Sequence, residues 1–170
     1  MNITIEQPSN VIIYVENVYD GTLADSVRQE IEPISWTDWM HQWLDYLSPT
    51  TDLTGNCELS IRLTSDRQIQ TFNHQYRFQE RPTDVLAFAA TEADITLPAD
   101  LTEPLYLGDI IISLDTAVKQ ATEQNHSLVV ELAWLASHGL LHLLGWDHPN
   151  DASLQQMLDC QSTLIQLLNL

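Results

Sequence analysis

Two histidines four residues apart, His138 and His142, stand in the apolar stretch Leu128 to Trp146, and a third, His148, follows Gly145. This run constrains the chain more than any other feature. On a helix, residues at i and i+4 stack one turn apart on a single face. Leu140, Leu141, Leu143 and Leu144 flank the histidines, so the helix is otherwise buried. Burying several imidazoles without partners is costly. Gly145 can close the helix in a left-handed cap and turn the chain back toward the first two rings. Three neutral imidazoles meeting at one point form a Zn²⁺ site with its fourth position open, the arrangement of catalytic rather than structural zinc.

With 170 residues the chain is expected to form one domain, 1–170, long enough to bury a full core. No stretch reads as a membrane span, because Glu131, His138 and His142 interrupt the most apolar one. The first residues lack the basic and apolar regions of a signal peptide. Cys57 and Cys160 are far apart and form no C-x-x-C pair, which suits a reducing cytoplasm.

The net charge is −18, from six Lys and Arg against twenty-four Asp and Glu. Such a field repels nucleic acids and membrane surfaces at long range. The distribution qualifies this. Arg62, Arg67, Arg77 and Arg81 fall within twenty residues and are opposed there only by Asp66 and Glu80. Four arginines against two acids leave that segment at +2, a local site for phosphate inside an acidic protein.

The periodicities predict an α+β fold, a small mixed sheet covered by helices, with a zincin-like metal-binding helix near the C-terminus. Val11–Val15, Cys57–Leu63, Val85–Ala89 and Tyr106–Ser113 read as strands. Helices are expected from Ser35 as N-cap to Leu47, over 65–74, from Asp115 to Asn125, from Leu128 to Leu144 and from Ala152 to Leu168. Trp36, Trp39 and Trp43 share one helical face and read as core. The segments 48–55 and 91–103 read as loops, and Arg81–Asp84 as a turn.

The spacing H-x-x-x-H-x-x-G-x-x-H over His138, His142, Gly145 and His148 is also the metal-binding frame of metzincin proteases. Those enzymes carry a Glu base after the first histidine, where this chain has Gly139. Three further segments point elsewhere: Phe72-Asn-His-Gln-Tyr-Arg77, Arg81-Pro-Thr-Asp-Val-Leu-Ala-Phe88 and Leu107-Gly-Asp-Ile-Ile-Ile-Ser113. Together with the histidine run, and in this order, they resemble the YbeY family of bacterial endoribonucleases and ribosomal RNA maturation factors. The resemblance implies a metal-dependent endoribonuclease specific for single strands. It implies a role in maturing small-subunit ribosomal RNA and in ribosome quality control, with the small ribosomal subunit and its proteins as partners and no membrane. It also implies one Zn²⁺ on His138, His142 and His148, and a functional Arg77. The chain departs from the family pattern at Phe78-Gln79, where Gly-Lys is usual, which removes a cation near the cleft. Ala87, Ala89 and Trp146 replace the usual Ser, Pro and Tyr.

Zinc on three imidazoles can lower the pKa of bound water to about 7 and polarise a phosphoryl oxygen. Arg77 offers a planar fork of donors matched to phosphate, suited to the charge that builds on the non-bridging oxygens. With His138 and Asp109 it forms the expected catalytic set. The general base is either Asp109, in Leu-Gly-Asp, or Asp147, beside a ligand, where it could instead orient an imidazole. A reading of a different class is a ribosome-assembly factor with a structural zinc and little nuclease activity.

Overall fold

The structure is a computed structural model describing residues 11–51, 53, 56–92 and 103–170. Among these residues four strands form one sheet: β1 (Val11–Asn17), β2 (Cys57–Thr64), β3 (Val85–Ala89) and β4 (Leu105–Ser113), in the order β1-β2-β4-β3. β1 and β4 both run parallel to β2, and β3 is antiparallel to β4. Among the described residues six helices accompany them: α1 (Asp25–Ile31), α2 (Trp36–Leu47), α3 (Asp66–Arg77), α4 (Leu114–Gln124), α5 (Leu128–Leu143) and α6 (Asp151–Leu167). This is the α+β architecture that the periodicities predict.

The two faces of the sheet are unequal. Cys57, Leu59, Ile61 and Leu63 alternate along β2 with half-buried residues and enter the main core. That core also holds the buried faces of α2, α4, α5 and α6. On the opposite face a smaller cluster joins Ile69 of α3 to Leu86 and Ile111, with Phe72 and Phe88 against it. The three tryptophans of α2 are buried, as their shared face predicts. Trp43 is fully buried, and its indole N–H donates to the Leu164 carbonyl of α6 at 2.8 Å.

Side chains start most helices by accepting the otherwise unpaired N–H groups of the first turn. Ser65, Ser113 and Ser127 do so for α3, α4 and α5. Asn150 and Ser153 form a reciprocal capping box at α6. Ser35 occupies the expected N-cap position of α2, but its hydroxyl makes no capping bond. Ser48–Thr50 forms a 3₁₀ turn, whereas 52, 54 and 55 of the predicted loop, and 93–102 of the second, lie outside the described residues.

α5 is the helix that matters for function. It crosses the main-core face of the sheet, and Gly139 meets Ile110 of β4 there. A Cβ on Gly139 would stand 2.7 Å from Ile110 Cγ2. The geometry gives Gly139 a role in close packing of α5 on β4. Gly139→Val should therefore destabilise the protein by about 1–3 kcal/mol through overpacking. Chemical denaturation of the variant beside the parent measures this, and an unchanged midpoint would contradict it.

Candidate metal centre

His138 and His142 occupy the last two turns of α5, so backbone hydrogen bonds fix their separation before any metal is considered. Their Nε2 atoms lie 3.1 Å apart. The helix then closes. The Gly145 N–H bonds the His142 carbonyl at 3.0 Å, and the Trp146 N–H bonds the Leu141 carbonyl at 2.9 Å. Gly145 has φ +88°, a left-handed conformation that a side chain would strain. The turn returns His148 to within 5.6 Å of His138 and 5.4 Å of His142, measured between ring centres. One ligand atom from each of the three lies within 4.8 Å of the others. The sequence-predicted ligands are thus brought together, by the predicted device.

Gln161 of α6 prepares the first ligand. Its Oε1 lies 3.2 Å from His138 Nδ1, while its Nε2 donates to the Trp134 carbonyl at 3.2 Å. The second bond orients the amide so that oxygen faces the imidazole. His138 then carries its proton on Nδ1 and leaves the Nε2 lone pair free toward His142. Sequence reasoning missed Gln161. A signal was present: Met157, Gln161 and Leu164 follow helical spacing and are all buried, so a polar residue stands where the period reserves a core position.

Burial holds the His138 imidazole below its ordinary pKa of 6.5, with the nearby His148 adding to the effect against the opposing Gln161 contact. Burial likewise lowers His142, reinforced by His138 and His148. Both rings are therefore biased toward the neutral form that a metal requires. Two nitrogens bound to one zinc at about 2.0–2.1 Å can be no more than about 4.2 Å apart, and the 3.1 Å pair satisfies this. The donor set, the tautomer and the charge state fit a single borderline metal ion.

The histidines line a cleft of about 550 Å³ together with Arg77, Asn73, Gln79, Glu92 and Asp147. Arg77 ends α3 across the cleft from the C-terminus of α5. Its Nη2 donates to the Ala87 carbonyl at 3.1 Å and lies 4.0 Å from Glu92 Oε2. Its guanidinium also lies 5.6 Å from the centre of the Phe88 ring. Asp147 accepts the His148 backbone N–H at 2.8 Å. Asp109 is not brought to this site. It belongs to the other face of β4, where it accepts the Ser60 hydroxyl and lines a separate groove with Arg62, Phe72 and Tyr76. Asp84 makes turn contacts, accepting the Val85 N–H at 2.8 Å and the Gln120 amide at 3.1 Å.

A family model described as Endoribonuclease YbeY matches residues 23–169. The chain belongs to the YbeY family. The Endoribonuclease YbeY of Nostoc sp. is 51% identical over 142 residues, covering 83% of this chain and 77% of that protein. That of Picosynechococcus sp. is 47% identical over 158 residues, covering 93% and 94%. The solution structure of TM1509 from Thermotoga maritima shares the fold, with a TM-score of 0.54 at 22% identity over 92% of this chain and 88% of that one. Among the described residues of this YbeY-family chain, no helix is long and apolar enough to cross a membrane.

Two outcomes follow from this geometry. Because folding lowers the His138 and His142 pKa values, the unfolded chain binds more protons around and below pH 6.5. Metal-free protein should therefore lose thermal stability as pH falls through 6.5, and a melting temperature that rose on acidification would contradict the sign. Gln161→Leu should keep the fold but weaken metal binding by about 10–100-fold. Competition against a chelator measures that loss.

Proposed function

We propose that the protein is a zinc-dependent endoribonuclease that cuts single-stranded RNA. Its physiological setting in this reading is the cytoplasm, in the maturation of small-subunit ribosomal RNA and ribosome quality control, with the small ribosomal subunit and its proteins as partners. One observation carries the chemistry: a guanidinium and three converging imidazoles line a single cleft. His138, His142 and His148 hold the metal in this account. When bound, zinc supplies a Lewis acid and an acidified water in the same place.

The chain's own residues do the rest. Arg77 binds the phosphodiester and stabilises charge growing on its non-bridging oxygens. The Ala87 carbonyl and the Phe88 ring hold the guanidinium in position, so less freedom is lost when phosphate arrives. Glu92, at 4.0 Å, is near enough to temper the cation without forming a close pair. Asp147 lines the cleft and Asp109 does not, which favours Asp147 as the proton acceptor. The protease reading lacks the metzincin base, because Gly139 stands where that frame carries Glu.

Arg77→Ala should retain metal while cleavage of a short single-stranded RNA falls by about 10²–10³. Parallel metal analysis and gel-resolved cleavage test this. Parental cleavage rates in the variant would remove Arg77 from the mechanism. Metal-loaded parent that cut no RNA would favour the assembly-factor reading.

A further inference from the structure

The cleft is poor in positive charge for an enzyme acting on a polyanion. Its charged side chains are Arg77 against Glu92 and Asp147, a net of −1, in a chain of net charge −18. A divalent ion on the histidines brings the lining to about +1. Phosphate contacts alone supply little affinity at such a site, since they scale with the number of cations that displace counterions. Single-stranded nucleic acids have a second means of attachment. Every base has a π-face, and bases stack on exposed aromatic rings with little dependence on sequence.

Phe78 is such a ring. It is 89% exposed, more than any other large apolar residue of the described chain. It lies between Arg77 and Gln79, both of which line the cleft. Its backbone is left-handed, φ 57° and ψ 31°, at the C-cap of α3. A bulky aromatic is an uncommon occupant of that conformation, where glycine is unstrained. Exposure and strain together argue against a role in stability. The ring contributes almost nothing to the core and makes its own turn harder to form. Strain retained beside a functional cleft points to use.

We propose that Phe78 is a stacking platform for a base of the RNA, next to the phosphate held between Arg77 and the histidines. The inference rests on the nuclease reading. Stacking holds the strand while the cleft supplies one cationic side chain beside the metal ion, so binding depends weakly on salt.

The test compares the parent, Phe78→Gly and Phe78→Tyr on a short single-stranded RNA carrying 2-aminopurine, using metal-loaded protein at two ionic strengths. Glycine fits the left-handed turn, so Phe78→Gly should melt no lower than the parent. Its KM should rise about tenfold, by the same factor at both ionic strengths. Quenching of 2-aminopurine on rapid mixing should be lost in Phe78→Gly and kept in Phe78→Tyr. Parental KM and quenching in Phe78→Gly, with the parent cleaving normally, would overturn the platform and leave the nuclease reading intact. A parent that neither binds nor cuts the RNA would overturn both.

Discussion

The structure depends on the contact between α5 and the sheet at Gly139 and Ile110. With no side chain on Gly139, the helix lies directly on β4 and is buried along most of its length. Packing at interior density fixes the helix in rotation as well as position. Its one partly open edge carries His138 and His142 into the cleft. Just past the end of the same helix, the left-handed turn at Gly145 returns His148. Gln161 reaches His138 from α6, a helix itself tied to α2 through Trp43 and the Leu164 carbonyl. The candidate metal site is thus built on core elements with a supporting hydrogen bond, which holds its geometry to the tolerance that metal chemistry needs.

Charge is distributed differently from what the primary structure suggests. The four arginines between 62 and 81 do not act as one patch. Arg62 pairs with Glu16 and Arg67 with Asp20, while Arg81 donates to Gln79. Exposed pairs of this kind contribute little to stability, but Arg62 and Arg67 each carry an acid beside their charge. Arg77 alone of the four faces the histidines. An acidic protein can then meet RNA through one oriented guanidinium and a metal ion, with broad repulsion elsewhere discouraging nonspecific adsorption.

Elements with strong local signals were legible in the chain. The i, i+4 histidines, the Gly turn and the β-branched strands each follow from short-range chemistry, and the structure places them where spacing puts them, whereas Ser35, the N-cap expected for α2, makes no capping bond. Three features were not legible. α1 has seven residues and an Ala24 N-cap without a side-chain bond, so no local signal announces it. Gln161 needed the tertiary partner His138 to give it meaning. Asp109 was ambiguous because the apolar run of β4 is buried on both faces. Ile110 and Ile112 enter the main core and Ile111 the smaller cluster, so alternation cannot tell which side faces the histidines. The family resemblance supplied the reaction class, which spacing alone left open between nuclease, protease and structural zinc.

The central claim is that one metal ion on His138, His142 and His148 is required for RNA cleavage. Its most direct test removes metal with a chelator and titrates Zn²⁺ back while cleavage of single-stranded RNA is followed. The stripped protein should not cleave, and recovery should saturate at one zinc per chain. Full cleavage by verified metal-free protein would contradict it.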